Sequence, residues 1–263
     1  MCFAYDARPP ELPADLVLPT MAGGAAAEQF ELTSADGTRF SAALAEAPDG
    51  SEPGIVILPD VRGLYRFYIE LAERFAQAGH HAIAFDFYGR TAGPGPRDEG
   101  FDYAPHRQRV QLDRALEDIA ASGDELKLRT NTGAIATVGF CFGGSLSFVA
   151  GTRPALGLAG VVGFYGVLAP SRFEGRGVLT QAGRTRAPVL GLFGGADQAI
   201  PQEQIDELEA ELSTAGVEHE IHVYPGAPHS FFDRKQDEFA SGSEDAWRRI
   251  LRFLAKRREL VAD

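Results

Sequence analysis

The stretch IATVGFCFGGSLSFVA, residues 135–150, decides the fold of this chain. Ile135–Phe140 is almost entirely apolar, which is typical of a strand buried on both faces of a parallel sheet. A helix is predicted to follow at residues 143–152. A strand, a sharp turn and a helix in this order predict one crossover unit of an α/β fold.

The turn itself, GFCFG at residues 139–143, has the spacing glycine–x–nucleophile–x–glycine of a nucleophile elbow. Only residues without a Cβ fit where strand and helix come this close, which accounts for Gly139 and Gly143. We expect Cys141 to have a strained backbone, to project above the sheet and to lie at a helix N-terminus that favours a thiolate. The N–H of Phe142 would then be an oxyanion-hole donor. The alternative is a buried, inert cysteine beside a glycine-rich turn.

Outward from this unit, strand-like and helix-like segments alternate. Strands are predicted at residues 28–33, 39–45, 54–58, 81–85, 158–165, 188–193 and 220–224, and helices at residues 68–78, 107–122, 202–215 and 244–258. The first two strands flank Ala35-Asp36-Gly37, where Asp-Gly favours a hairpin. This order predicts an α/β fold, a doubly wound, mostly parallel sheet with an N-terminal antiparallel hairpin. We predict one domain over residues 1–263, with residues 1–27 as an extended N-terminal arm.

Two further residues complete a candidate triad with Cys141. Asp197 follows the predicted strand at residues 188–193, and His229 follows the one at residues 220–224. Open α/β sheets place their sites at the carboxyl ends of strands, and the order nucleophile, acid, histidine accompanies a nucleophile elbow. His229 would take or give the proton while Asp197 fixes its tautomer. Taken singly, Asp197 could equally cap the next helix, and His229 could be a surface-loop residue.

Composition and charge exclude several classes of protein. The chain has 263 residues, and 25 Lys plus Arg against 37 Asp plus Glu leave a net charge of −12. This balance argues against nucleic acid or an anionic membrane as the main partner. No apolar run reaches the ~20 residues of a membrane span, no secretory signal is evident, and 2 cysteines are too few for a disulfide framework. We therefore expect a cytoplasmic enzyme or binding protein.

Four segments together resemble the dienelactone hydrolase family of the α/β-hydrolase fold. They are GFCFGG at residues 139–144, GGAD at 194–197, GAPHSF at 226–231 and DFYGR at 86–90. Cysteine in place of the more usual serine makes the likeness specific. The resemblance implies hydrolysis of a small ester or lactone, one that bears a carboxylate, through an acyl-cysteine intermediate. It implies no metal and no organic cofactor, and we expect a monomer or small homo-oligomer.

The resemblance also carries over single positions. An acidic residue of the family, thought to take the proton of the cysteine, matches Asp60, although the family residue is usually the longer Glu. The N–H of Val61 matches the second oxyanion donor. Arg90 matches an arginine that grips the substrate carboxylate, a task that suits a guanidinium.

At one position the chain departs from the family pattern. A second arginine normally follows the catalytic histidine, but Asp233 stands at the aligned position and Arg234 comes one residue later. Asp233 would repel an anionic substrate, so we expect a weakened or rebuilt carboxylate clamp. Arg62 is a candidate to supply charge from another side, the alternative being an ordinary solvated arginine. Tyr88 and Phe231 are candidates to line an apolar pocket, or else ordinary core residues.

Three functions stay open on these grounds. The first is cleavage of dienelactone-like substrates, the carboxymethylenebutenolidase type. The second is a broader carboxylesterase for neutral esters. The third is a catalytically idle protein of the same fold that binds a ligand, if Asp60 does not activate Cys141. Residues 93–102 are either part of a lid over the pocket or a plain surface loop.

Overall fold

The structure, a computed structural model, describes residues 4–18, 25–48, 50, 53–233, 235 and 237–261 of the chain. The strands are β1 (Glu28–Thr33), β2 (Arg39–Ala45), β3 (Gly54–Leu58), β4 (Ala82–Phe85), β5 (Ile135–Phe140), β6 (Leu158–Phe164), β7 (Val189–Gly194) and β8 (His219–Tyr224). They form one sheet in the order β1-β2-β4-β3-β5-β6-β7-β8. β2 is antiparallel to both β1 and β4, and every other neighbouring pair is parallel. The predicted fold class, a mostly parallel sheet with an N-terminal hairpin, is confirmed.

The central strands are apolar throughout because both of their faces are covered. Every residue of β3, β4, β5 and β7 is buried. The edge strand β8, with the sequence HEIHVY, is mostly half-buried and mixes polar with apolar residues. The hydrophobic core therefore lies around the middle of the sheet, and the carboxyl ends of β3 and β5 to β8 share one edge.

Helices pack around the sheet. They are α1 (Arg66–Gln77), α2 (Gly89–Ala92), α3 (Tyr103–Arg107), α4 (Leu112–Thr130), α5 (Phe142–Ala150), α6 (Arg172–Gly175), α7 (Val178–Gln181), α8 (Gln202–Thr214) and α9 (Ala240–Val261). α1 contacts β2 and β4, α4 contacts β3 and β4, α5 contacts β5 and β6, and α9 contacts β6 and β7. α5 is buried along its whole length, which places the helix after Cys141 in the interior. Among the described residues, no helix is long and apolar enough to cross a membrane.

One predicted helix, residues 107–122, has the wrong bounds. The structure has two helices here, α3 and α4, which are separated by a turn at residues 108–111. Gln111 has an extended backbone (φ −94°, ψ 129°), so the helix cannot run through it. α4 then continues to Thr130 and ends at Asn131, whose left-handed backbone (φ 56°) closes the last turn.

Residues 4–18 of the predicted arm lie along the body of the protein. The indole N–H of Trp247 donates to the carbonyl of Pro10 (3.3 Å), and the N–H of Leu18 donates to the last residue of α1 (2.9 Å). The arm is therefore attached to two helices, α9 and α1. Its remaining residues include 1–3 and 19–24, which lie outside the described part of the chain.

A buried ion pair fastens residues 93–102 to the sheet. The guanidinium of Arg97 donates to Asp86 Oδ2 (2.8 and 3.1 Å) and to the carbonyl of Gly93 (2.6 Å). Asp86 follows β4 directly and is fully buried, and this burial raises the pKa of its carboxyl to about 6. The segment is thus tied to the end of a central strand.

Candidate active site

Cys141 occupies the sharp turn between β5 and α5. Its backbone has φ 53° and ψ −109°, a strained conformation for a residue with a side chain. A Cβ on Gly139 would lie 2.0 Å from the carbonyl oxygen of Gly143, and a Cβ on Gly143 would lie 2.1 Å from that of Leu58. The predicted strand, turn and helix are present, with glycine where a side chain would collide with backbone.

The turn exposes the thiol to a cavity. Cys141 is 6% exposed and lines a cavity of about 1090 Å³. It immediately precedes α5, so the positive end of the helix dipole lies at the thiol. The N–H of Ser145 donates to the Cys141 carbonyl (3.1 Å) and begins the helical hydrogen bonding. A cysteine that lines a cavity in this way is not sealed in the interior.

His229 and Asp197 form a hydrogen-bonded pair at the same cavity. His229 Nδ1 lies 2.5 Å from Asp197 Oδ2. The Asp197 side chain is 1% exposed, and its Oδ1 accepts from the N–H of Ala199 (2.9 Å), which fixes the carboxylate. The ring of Tyr165 packs against the imidazole, with 4.9 Å between ring centroids. Because a carboxylate accepts at Nδ1, the histidine presents Nε2 as its proton acceptor.

The cavity brings the three side chains together from the carboxyl ends of different strands. Cys141, Asp197 and His229 all line it, and they follow β5, β7 and β8. Val61, which follows β3, lines it as well. A nucleophile, a base held in one tautomer and a backbone turn therefore share one space, an arrangement that can perform acyl transfer.

Asp60 and Arg62 form a buried ion pair beside the cavity. Asp60 is 0% exposed, and its Oδ1 accepts from the backbone N–H (2.9 Å) and the Nε (3.0 Å) of Arg62, while Oδ2 pairs with Nη2. The guanidinium also stacks on the ring of Tyr65, 4.3 Å from its centroid. Burial alone would lower the pKa of Arg62, but the hydrogen bonds and charge of Asp60 outweigh it and raise that pKa. Arg62 is 3% exposed, so the alternative of a solvated arginine is wrong.

Two candidate pocket-lining residues belong to the core instead. Tyr88 is fully buried, does not line the cavity, and donates from its hydroxyl to the carbonyl of Val61 (2.5 Å). Phe231 is fully buried between the rings of Tyr165 (5.7 Å) and Tyr224 (4.7 Å). Their predicted contact with substrate is therefore wrong. Tyr88 acts on the site only by holding the turn that carries Val61.

Arg90 does not line the cavity that holds Cys141. Its guanidinium donates to Asp118 (2.8 and 3.2 Å) and Glu117 (3.3 Å) on α4, and it pairs with Asp36 in the β1–β2 turn. The side chain is only 16% exposed. The prediction that Arg90 grips a substrate carboxylate is wrong, because neighbouring carboxylates of the chain already occupy its donors.

The position aligned with the missing arginine faces the cavity. Asp233 lines it and is 7% exposed, and its Oδ1 accepts from the N–H of Lys235 (3.0 Å). Arg234, the other predicted substrate-binding residue of this segment, lies outside the described residues. The cavity thus carries a carboxylate at the position where the family pattern has its second arginine.

The cavity is also lined by aromatic and arginine residues that were not singled out from the sequence. They are Tyr5 in the N-terminal segment, Tyr103 and Arg107 on α3, and Arg172 on α6. None belongs to a motif, and only Arg107, the last residue of α3, fell inside a predicted helix. None of residues 93–102 lines this cavity, so the alternative of a plain surface loop is favoured over that of a lid.

Within the described residues, no group of three His, Cys, Asp or Glu side chains is arranged to hold a metal ion.

A family model, two relatives and a solved structure all relate this chain to the same family. The model of the dienelactone hydrolase family matches residues 40–257. The carboxymethylenebutenolidase of Rhodococcus opacus is 30% identical over 217 residues, which are 81% of this chain and 84% of that protein. A Methylorubrum extorquens protein, named as a candidate for the same activity, is 28% identical over 260 residues, 94% of this chain and 86% of its own length. A crystal structure of a candidate dienelactone hydrolase from Klebsiella pneumoniae is 27% identical with a TM-score of 0.74, and covers 88% of this chain and 99% of that one.

Replacing Gly143 by alanine should destabilise the fold. The new Cβ would lie 2.1 Å from the Leu58 carbonyl oxygen and 2.4 Å from that of Pro59, both of which are backbone atoms that cannot move aside cheaply. We expect the free energy of unfolding, measured by urea denaturation, to fall by about 3 kcal/mol or more.

The matched control is Gly100→Ala, where the nearest atom to the new Cβ is a side-chain oxygen of Asp98 at 3.3 Å. This exposed position should change the free energy of unfolding by less than about 0.5 kcal/mol. Equal stability of Gly143→Ala and the wild type would contradict the close approach described here.

Proposed function

The chain belongs to the dienelactone hydrolase family, whose members act on ester or lactone bonds, and we propose that it hydrolyses a small ester or lactone through an acyl intermediate on Cys141. The observation that carries this proposal is the His229–Asp197 hydrogen bond of 2.5 Å at a cavity that Cys141 also lines. The roles of nucleophile, base and orienting acid follow from the chemistry of these three groups.

The reaction then runs in two halves. His229 Nε2 takes the proton of Cys141 Sγ, and the thiolate attacks the substrate carbonyl carbon. The N–H groups of Phe142 and Val61 hold the charge that develops on the carbonyl oxygen; losing one such donor typically costs about 10²–10³ in rate. The C–O bond breaks, the departing alcohol or enol takes the proton from His229, and a thioester remains. A water then gives a proton to His229 while its oxygen attacks the thioester carbon, the C–S bond breaks, the acid is released, and Cys141 Sγ takes the proton back from His229.

Asp60 is a positioning residue in this mechanism. Its carboxylate accepts the backbone N–H of Arg62 at 2.9 Å and pairs with the guanidinium of the same residue. Val61 lies between these two residues, and the Tyr88 hydroxyl holds its carbonyl at 2.5 Å. The turn that carries the Val61 N–H is therefore fixed from both sides. This role replaces the expectation that Asp60 takes the thiol proton, since Arg62 already occupies both of its oxygens.

A carboxylate on the substrate would meet Arg107. This exposed residue lines the cavity, and the described part of the chain shows no ion pair for it. Arg172 lines the same cavity from α6. A second candidate function, a carboxylesterase for neutral esters, is favoured by Asp233, which adds negative charge to the cavity wall, and by the position of Arg90 outside it.

Cys141→Ala should abolish turnover of p-nitrophenyl acetate, with a loss of about 10³-fold or more, because no other group would carry the acyl intermediate. In the wild type, rapid quenching followed by mass spectrometry should find the acetyl group on the peptide that contains Cys141. Circular dichroism of the variant controls for its fold. Full activity in Cys141→Ala, or an acetyl group on another residue, would refute the proposed mechanism.

Asp60→Asn should lower kcat about tenfold, because the variant weakens the pair that holds the turn at Val61. The pH dependence of Cys141 alkylation by iodoacetamide should stay unchanged, since the carboxylate is not the proton acceptor of the thiol. Asp36→Asn, which alters a carboxylate remote from the cavity, is the control. A shifted alkylation profile in Asp60→Asn alone would restore the role of proton acceptor to Asp60.

Arg107→Ala should raise KM for cis-dienelactone about three- to tenfold and leave KM for p-nitrophenyl acetate unchanged, because only the former bears a carboxylate. Gln108→Ala, an uncharged neighbour at the same cavity wall, and Arg90→Ala should change neither KM. Equal effects of Arg107→Ala on both substrates would remove the carboxylate contact and favour the neutral-ester function.

A further inference from the structure

The first described residues of the chain form part of the cavity wall. Ala4 and Tyr5 line the cavity that holds Cys141, together with the turn after β3 and with α3. The family model matches residues 40–257, so this part of the wall lies outside the matched segment. The N-terminal segment therefore contributes two residues to the cavity wall that are not part of the family motifs.

The segment is anchored directly after Tyr5. Asp6 pairs with Lys235, which follows the His229 loop, and Arg8 pairs with Glu70 on α1. Ala7 is fully buried, and its N–H donates to the carbonyl of Ala4 (3.0 Å). These contacts hold the backbone at Tyr5 in one position at the cavity.

The ring of Tyr5 packs onto the turn that carries Val61. The guanidinium carbon of Arg62 lies 5.5 Å from its centroid, and the ring of Tyr65 meets it edge-on at 5.7 Å. Arg62 is in turn held by Asp60, so a buried ion pair sets the position of this aromatic wall. An aromatic ring placed in this way offers a flat apolar surface at low entropic cost.

The cavity is large enough to hold more than a small lactone. Its volume of about 1090 Å³ is slightly above the range of about 300–1,000 Å³ that accommodates drug-sized ligands. Tyr103 on α3 adds a second aromatic ring to its wall, and Val61, Val167 and Pro228 add apolar surface. The space beyond the reacting atoms is therefore lined by groups that suit a flat, ring-bearing part of a substrate.

We propose that Tyr5 is a specificity-determining residue, which packs against an aromatic ring of the substrate, so that this hydrolase prefers esters larger than a simple lactone that carry such a ring. The inference rests on the proposed function and names a substrate class for it. Tyr5 contributes to binding, and the chemical step at Cys141 does not require it. Its removal should therefore raise KM for ring-bearing esters and leave kcat unchanged.

Three esters test this: methyl acetate, phenyl acetate with the ring on the departing side, and methyl phenylacetate with the ring on the acyl side. Tyr5→Ala should raise KM about three- to tenfold for at least one ring-bearing ester and change methyl acetate less than about twofold. Tyr5→Phe keeps the ring and should behave like the wild type. Asp15→Asn breaks the ion pair of the same segment with Arg248 (2.8 Å), remote from the cavity, and should also behave like the wild type.

The proposal is overturned if Tyr5→Ala changes all three esters by the same factor, or none of them, or if Asp15→Asn produces the same pattern. Each ester is compared between the variant and the wild type, so differences in leaving-group reactivity between the esters cancel. Failure of the proposed function would be seen separately, as hydrolysis of phenyl acetate by Cys141→Ala at the wild-type rate.

Discussion

The site depends on the close approach of backbone segments around the turn at Cys141. Gly139 lies against Gly143, Gly143 against the end of β3, and a Cβ on Gly144 would lie 2.6 Å from the carbonyl oxygen of Phe164 at the end of β6. The start of α5 is thus wedged between the ends of neighbouring strands. The same close packing that gives Cys141 its strained φ also brings the turn after β3 next to it, so one constraint positions the thiol and the backbone of Val61, the proposed oxyanion donor.

The charge at the cavity differs from the net charge of the chain, because it depends on which charged side chains line the cavity and how they are paired. The chain carries −12 overall, which repels an anionic ligand at long range. At the cavity, however, Arg62, Arg107 and Arg172 face Asp197 and Asp233. Of these, Arg62 has its charge matched by Asp60. Arg107 on α3 is exposed and the described part of the chain shows no ion pair for it, so it is the residue that we propose meets a substrate carboxylate.

The features that could be predicted from the sequence are those that depend on the spacing of residues within a short segment. Buried strands are recognised as apolar runs and the sharp turn at Cys141 by its glycines, so the sheet and the chain positions of the proposed triad residues could be predicted from short segments. The direction of the Arg90 side chain did not, because it is set by Asp36 and Asp118, both distant in sequence. Tyr5 lay beyond sequence reasoning for the same reason, since its place is defined by contacts with Arg62 and Tyr65. A motif predicts the path of the backbone near it. The partners of a long side chain such as that of Arg90 can be identified only when the whole fold is known.

The two ends of the described chain lie at different distances from the cavity that holds Cys141. Ala4 borders the cavity, whereas Arg257, near the end of α9, pairs with Glu218 immediately before β8, at the amino edge of the sheet. A label attached near Ala4 would thus lie beside the cavity and compete with incoming ligand, whereas one attached near Arg257 would lie at the opposite edge of the sheet, which makes that end of α9 the better place to immobilise this protein on a sensor or resin.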